Sequence, residues 1–389
     1  CQIEDGSGNP VEATGDEQVE LFRSVKAGNG RVEIALTDGG TLSAAQVNDL
    51  SVAGTANCYV VSAPGTYVFN ARVRGNGAGE GVGFEPAIEM ADGMTADWLW
   101  TDSEGLVSGV ALDTTSGDIF LTVGEGRGNA LVALMQDGKV VWSWHVWVTD
   151  APQTMTYGNG TVFMDRNLGA AGTTAGGTDA YGMYYQWGRK DPFYGGEKTE
   201  TSANAFLEAK NGTVVNPAYP ALDWAFSKSA TTTDGAAANP MTFYNDKVGT
   251  GYNWLASPNA TLWGEAKTLN DPCPPGYRVP GTGAWEDLIS GRQYIDGVSV
   301  WDGTNYGMTY THGGQTAWYP AQGYRNYSSG AIVGLRSSTG GSGAYWSAET
   351  SSVKSYYLFF RSKLSSSGSI NNELDMNRSY GYTVRCCKE

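Results

Sequence analysis

The sequence predicts two folded units in series, an all-β sandwich followed by an α+β domain with long loops. Three observations lead there. Composition is the first: 54 Gly, 13 Trp and 22 Tyr in 389 residues, with only 17% charged residues. That mix suits a loop-rich, β-rich extracellular protein better than a helical cytosolic one. The second is strand-type alternation, without convincing helical periodicity, from Arg31 to Val148. The third is a change of texture after Thr149-Asp-Ala-Pro-Gln153, where glycine-rich loops and scattered short strands take over. Two domains is the natural expectation for this length. The divisions are a tether over 1–28, a sandwich over 29–150 and a looped domain over 151–389.

Charge and hydropathy narrow the function classes. A net charge of −15 argues against nucleic acid, because phosphate binding needs a basic patch and none is visible. No apolar run approaches the ~20 residues that span a bilayer. The first residue, Cys1, is followed by a polar stretch to Gln18, which predicts a bacterial lipoprotein whose Cys1 carries the lipid. The membrane would then be met through that lipid alone. A short apolar patch at Val19, Leu21 and Phe22 is a candidate first strand, and Arg23 behind it is a candidate site of trypsin-like processing.

In the first unit, Ser62-Ala-Pro-Gly65 reads as a turn. After it Tyr67, Phe69, Ala71 and Val73 alternate with Val68, Asn70, Arg72 and Arg74, the period of a half-buried strand. Gln136-Asp137-Gly138 between apolar runs predicts a hairpin. Its second strand would place Val140, Trp142, Trp144, Val146 and Val148 on one face, with His145 and Trp147 on the other. These tryptophans read as core. Two stacked antiparallel sheets, immunoglobulin-like or transthyretin-like, would bury them.

In the second unit, Thr161 to Met164, Tyr356 to Phe360 and Tyr382 to Arg385 read as short strands. Two helices are expected, over Tyr181 to Arg189 and over Ala284 to Ser290. The latter places Trp285, Leu288 and Ile289 on one apolar face, with Thr282 or Gly283 as cap. Asp271-Pro-Cys-Pro-Pro-Gly-Tyr-Arg-Val-Pro280 is a shaped loop, since three prolines and a glycine around one cysteine fit neither a helix interior nor a central strand. Cys58, Cys273, Cys386 and Cys387 allow three full pairings. On a strand Cys386 and Cys387 point to opposite faces, so only one readily meets Cys273. Cys273–Cys386 is favoured, with Cys58 and Cys387 as small buried hydrophobes. Closing a loop of more than a hundred residues is worth roughly 4–5 kcal/mol in the simple entropic model.

An ordered series of motifs carries a resemblance. Asp165-Arg-Asn-Leu-Gly-Ala170, Tyr185-Gln-Trp-Gly-Arg189 with Asp191-Pro-Phe193, Asn239-Pro-Met-Thr-Phe243 and Leu262-Trp-Gly264 come first. The Pro-rich loop, Pro320-Ala-Gln-Gly-Tyr-Arg325, Tyr345-Trp-Ser-Ala348 and Val384-Arg-Cys386 follow. Together they resemble the Fibrobacter succinogenes major paralogous domain of Bacteroidetes surface lipoproteins, over roughly 154–389. That family is similar to the C-type lectin-like and formylglycine-generating-enzyme folds. Ala56-Asn-Cys-Tyr-Val60 with Pro64-Gly-Thr-Tyr67 looks like the β-sandwich that often precedes such domains in fimbrillin-like proteins. One departure stands out: Gly281 and Ala284 fill the positions where relatives often carry the Thr and Glu of a capping box.

The residues argue against catalysis. His145 lies on the sandwich strand and His312 in a Thr-His-Gly-Gly loop, and no Cys/His metal cluster is present. Formylglycine-generating chemistry needs a suitably placed redox-active cysteine pair; Cys386 and Cys387 are adjacent, and Cys273 has a structural role. The calcium-ligand tripeptides of C-type lectins are absent. Asn371, Asn372, Glu373, Asp375 and Asn377 are the only cluster that suggests calcium, and no cofactor is expected. Asp165, Arg166 and Arg385 read as internal pairing, and Trp187, Trp263 and Trp346 as core. What remains for recognition is an aromatic crowd between 301 and 327. Trp301, Tyr306, Tyr310, His312, Trp318 and Tyr327 are the candidate ligand contacts, for a glycan or for a host or bacterial surface protein. The expected function is a non-catalytic adhesin of the outer-membrane surface, associated with fimbriae. The alternative is a structural fimbrial or pilus subunit, or a spacer lipoprotein, that assembles with other subunits by strand exchange through the N-terminal sandwich after cleavage at Arg23.

Overall fold

A computed structural model of the chain describes residues 25–27, 30–37, 41–77, 86–195, 213–335, 341–362 and 369–389, with side chains from Val47 onward. Cys1, the 19–22 patch and Arg23 lie outside the described residues. The described chain is mostly β-sheet, in several sheets.

Ten strands form the first half. In chain order they are β1 (Val25–Ala27), β2 (Gly30–Thr37), β3 (Thr41–Asp49), β4 (Cys58–Val61) and β5 (Gly65–Asn70). Then come β6 (Met94–Thr101), β7 (Val107–Asp113), β8 (Asp118–Val123), β9 (Gly128–Gln136) and β10 (Lys139–Val148). One sheet runs β1-β2-β3-β5-β8-β7, and the other places β6, β9, β10 and β4 side by side. Tyr67, Phe69, Ile119 and Leu121 of the first sheet share a core with Val132, Leu134, Trp144 and Val146 of the second. The Phe69 and Trp144 rings meet at 5.1 Å. The sequence predicts wholly antiparallel sheets, and the structure departs from that at two pairs. β4 runs parallel to β10, and β3 parallel to β5. A parallel pair needs a long crossover, which the chain supplies between β4 and β10 by way of both sheets.

The β9–β10 hairpin turns where the sequence says it should. Asp137 (φ 51°) and Gly138 (φ 74°) both take the left-handed conformation that a two-residue hairpin turn requires. A bulge at Val141 shifts the register between Val140 and Trp142. It turns Val140 onto the opposite face from Trp142, Trp144, Val146 and Val148, so the single-face set read from the sequence loses one member.

That opposite face is not solvated. Leu131, Ala133, Met135 and Trp147 belong to a second core that includes Trp187, Trp263 and Trp346 from the other half of the chain. Each large apolar side chain buried there contributes roughly 1.5–3 kcal/mol. Val214–Val215 also pairs with β6 and extends the sheet by one strand from beyond the linker.

The second half is built from short strands and shaped loops. Cys387–Lys388 pairs with both Val162–Met164 and Tyr277–Arg278. Next to it Cys386 is bonded to Cys273, 113 residues away, with a Cα–Cα distance of 6.0 Å. Cys386 faces the core shared with the sheet, and Cys387 faces a third core around Trp285 and Tyr319. Strand alternation therefore decides which thiol is bridged; Cys58 and Cys387 are free and buried. Asp271, itself fully buried, shapes the Pro-rich loop by accepting from the backbone N–H of Cys273 (2.8 Å) and Val279 (2.9 Å). Asn57 ties that loop to the start of β4, donating to the carbonyls of Leu269 (2.7 Å) and Asp271 (2.9 Å).

Two helix expectations change. Tyr181 to Arg189 is not helical: a 3-10 turn, Thr178–Ala180, precedes an extended stretch through Tyr185–Gln186. Tyr184, Tyr185, Gln186, Trp187 and Arg189 are all buried, so no polar face is left for a surface helix to present. Residues 282–288 form a 3-10 helix with Trp285 and Leu288 buried, while Ile289 starts a strand. Neither Thr282 nor Gly283 caps it: Gly281 holds the cap position without a side-chain bond, and the Thr282 hydroxyl donates to Glu349 (2.9 Å). An unpredicted α-helix, Thr233–Ala238, is capped by Thr232, whose Oγ1 accepts from Gly235 N.

Denatured but unreduced protein is expected to take an alkylating agent at Cys58 and Cys387 and to leave Cys273 and Cys386 unmodified in peptide mass maps. Replacing both bridged cysteines by serine should lower the unfolding free energy by about 2–5 kcal/mol in chemical denaturation.

Candidate functional site

The candidate ligand contacts do not form one surface. Ser299–Asp302, Gly307–His312 and Gln315–Pro320 make a three-stranded sheet that carries Trp301, Tyr310, His312 and Trp318. Tyr310 is buried, its ring 4.2 Å from that of Tyr157 and its hydroxyl accepting from Gly158 N (3.2 Å). Trp318 is buried as well. Its ring covers Gly307 so closely that a Cβ there would lie 2.4 Å from it. Both residues therefore belong to the frame and not to a contact face, because strand alternation and the bare Gly307 turn their rings onto protein. Trp301 and Tyr306 are half-buried, Tyr306 in a left-handed turn (φ 55°). His312 is exposed and parallel to Tyr310 at 6.4 Å.

Tyr327 lies in a different group. Its ring is 4.6 Å from Tyr252 and 4.9 Å from Tyr380, and Tyr380 is 5.7 Å from Tyr324. All four tyrosines are half-buried. Tyr252 comes from the short strand Gly251–Asn253, Tyr324 from Tyr324–Arg325, and the other two from tight turns. Local sequence holds no sign of this group, since its members are up to 128 positions apart.

The oxygen-rich stretch 371–377 lies along the strand Ile370–Asn377, which sends alternate side chains to opposite faces. Asp375 pairs with Lys354 (3.2 Å), Asn372 donates to the Thr282 carbonyl (2.9 Å), and Asn377 Oδ1 accepts from Tyr252 N (3.1 Å). Among the described residues no group of three or more His, Cys, Asp or Glu side chains is placed to hold a metal ion.

Two buried polar clusters join the halves, and neither was legible in the sequence. In the first, Asn129 Nδ2 donates to Asp102 (2.7 Å) and to the Gly169 carbonyl (2.9 Å), which leaves its Oδ1 as acceptor. His145 Nε2 lies 2.8 Å from that oxygen and so carries the proton; Nδ1 then accepts from Tyr185 (3.3 Å). Burial pushes the His145 pKa down to about 3, so the ring stays neutral and structural. In the second, Lys190 Nζ donates to Ser143 Oγ and to Asp191 (2.6 Å each) beneath the Trp142 ring. Burial lowers the Lys190 pKa, against the pull of Asp191. Serine beside lysine is a pairing that some hydrolases use. Here the adjoining cavity is about 10 Å³, room for one water and far short of a substrate pocket. A larger groove of about 290 Å³ runs between Val61–Pro64, Glu125–Arg127 and Val148–Asp150, where Arg127 bonds Asp150 at 3.1 Å.

Asp165, Arg166 and Arg385 take the internal roles expected of them. Arg166 bonds Asp165 and Asp150 (2.8 Å each), and its hydrogen bonds hold the Asp150 carboxyl at a pKa of about 2. Arg385 donates to Asn167 Oδ1 (2.8 Å) and to the Trp318 carbonyl (2.6 Å). Trp187, Trp263 and Trp346 are all in the core. Comparison of the chain with protein-family models, with curated proteins and with solved structures finds no match.

Burial raises the Asp102 pKa from its ordinary value to about 6, with the Asn129 hydrogen bonds pulling the other way. A carboxyl that is harder to ionise in the fold than in the unfolded chain favours the native state when protonated. Its contribution is complete below about pH 4 and is lost as the pH rises through about 6. Asp102→Asn keeps the acceptor for Asn129 and removes the buried charge. Denaturation as a function of pH should find this variant more stable than the parent by about 1–3 kcal/mol near neutrality, with the gap closing at about pH 4.

Proposed function

We propose that the protein is a non-catalytic cell-surface adhesin that grips a glycan, or a protein of a host or bacterial surface, through the loops of its C-terminal half. The observation that carries this reading is that the half-buried rings of Tyr306 and Tyr327 stand in turns whose backbones are pinned, with Trp301 half-buried on the nearby strand Ser299–Asp302. Tyr327, for example, stands in a turn where Asn326 N donates to Ala331 O (2.8 Å) and Gly330 N to Asn326 O (2.7 Å). Rings held this way are preordered, so little further side-chain freedom is lost on binding. The two histidines have no shared chemistry: one is buried and neutral, the other exposed beside Tyr310.

The motif series supports reading the second half as a C-type lectin-like domain of the Fibrobacter paralogous type. Its residues make long-range bonds of the kind that define a loop-rich fold, such as Trp187 Nε1 to Ser347 O (2.9 Å) and Trp346 Nε1 to Tyr185 O (2.8 Å). The two-sheet first half suits a fimbrillin-like sandwich, and Cys1 would anchor the chain to the outer membrane. A second reading, a fimbrial subunit that assembles by strand exchange, draws on β1, whose outer edge is unpaired among the described residues.

On a glycan array, with and without chelator, the purified protein should bind as a monomer and release no product from the ligands it retains. An SDS-stable ladder that disappears on Arg23→Ala substitution would favour the assembly reading over adhesion.

A further inference from the structure

We infer that Tyr252, Tyr324, Tyr327 and Tyr380 form a stacking shelf for uncharged pyranose rings, an inference that rests on the glycan-binding reading above. The four rings make one continuous run, with successive centroids 4.6, 4.9 and 5.7 Å apart. Rings packed that closely leave no gap for a cation between them, so the group is a shelf and not a cage for quaternary ammonium. Each of the four residues is half-buried, and the exposed part of an aromatic ring can take the C–H face of a sugar. The backs of Tyr324 and Tyr380 rest on the core tyrosine Tyr382, at 5.6 Å each.

None of these four phenols makes a hydrogen bond to another described residue, and none is a buried orphan. They are therefore open to water, or to the hydroxyls of a ligand. An aromatic face with uncommitted O–H groups at its rim matches a neutral sugar, which offers C–H bonds on one side and hydroxyls at its edge. The shelf is also preorganised. Asn377 links two of its segments, accepting from Tyr252 N through its side chain (3.1 Å) and from Tyr380 N through its carbonyl (3.1 Å).

Charge selects among sugars. The arginines next in sequence or space, Arg325 and Arg378, are buried and donate to loop carbonyls. Lys354 is paired with Asp375. Lys247 lies across the strand pair from Tyr252, where its ammonium can donate to a sugar hydroxyl at the rim. A chain with a net charge of −15 repels polyanions, so a single exposed lysine makes a hydrogen-bonding edge and not an acid-binding pocket.

The test uses the full chain on an array of neutral, sialylated and sulfated oligosaccharides, followed by affinity measurement on the best-retained neutral glycan. Tyr252→Ala and Tyr327→Ala should each weaken binding by about 3- to 10-fold while circular dichroism shows the fold retained. Tyr327→Phe should weaken it less and report the hydroxyl alone. If the parent protein retains no glycan, the adhesin reading fails and the shelf with it. If it binds and both tyrosine variants bind equally well, or if Trp301→Ala alone abolishes binding, only the shelf is overturned. A preference for sialylated or sulfated glycans lost on Lys247→Ala overturns the choice of uncharged sugars. Retention of phosphocholine in place of any sugar overturns the choice of a pyranose ligand.

Discussion

Guanidinium groups buried against backbone carbonyls hold the second half of this protein together. A loop-rich domain buries many peptide groups that no sheet ladder can satisfy, and each needs a partner. Arg189 donates to the carbonyls of Thr242 (2.6 Å) and Pro240 (3.1 Å), and Arg325 to those of Tyr194 (2.7 Å) and Gly330 (2.5 Å). Arg378 reaches Asn259 (2.9 Å) and Ser352 (3.0 Å), and Arg385 reaches Trp318. Each also lies over an aromatic ring, at 4.9 Å for Phe193, 4.2 Å for Tyr194, 4.4 Å for Trp187 and 3.8 Å for Tyr319. Arginine suits this work because its flat fork reaches several acceptors at once while its faces stack. Hydrogen bonds from a charged group are worth roughly 1.5–3 kcal/mol, more than neutral ones. Lysine in the same places would offer a point charge and lose the ring contact.

The sheet that carries β9 and β10 is the other constraint, because it is a floor for two cores at once. Along β9 the side chains at 130, 132 and 134 enter one core and those at 131, 133 and 135 the other. Trp147 Nε1 donates to Ala170 O (2.9 Å), and Arg166 reaches back to Thr149 (2.9 Å). The segment around 150 is thus a linker in composition, but the chain on either side of it is packed together. The His145 relay and the Lys190–Asp191–Ser143 cluster lie in that joint, where their polar groups fix how the halves meet.

What could be read from the sequence was whatever local chemistry decides. Asp137-Gly138 marks a hairpin because those two residues tolerate positive φ, whatever lies around them. Strand alternation allows only one of the adjacent Cys386 and Cys387 to meet Cys273, and the fold selects Cys386. Tyr181 to Arg189 misleads because its dense aromatic and polar mix looks like a helix face, and burial on all sides shows only when distant segments are in place. Tyr310 and Trp318 mislead for the converse reason: crowded aromatic residues suggest a binding face, yet Tyr310 turns into the core and Trp318, on the opposite face of the sheet, lies down over the bare Gly307. The tyrosine shelf was illegible for the same physical cause as the His145 relay. Both are assembled from positions that only tertiary packing brings together.

The bridge between Cys273 and Cys386 has a mechanical consequence. Glu389 lies three residues past Cys386, and the 113-residue span behind it is tied at both ends. Tension entering at the amino end and gripped anywhere within that span can peel strands apart, but it meets a covalent ring before it can draw the terminal strand free. Three of the four shelf tyrosines, at 324, 327 and 380, lie inside the ring. A load pulled through Tyr380 would run across the sulfur–sulfur link and the six residues from 380 to 386, sparing the 107 residues between Cys273 and Tyr380, as a knot stops a rope in a pulley.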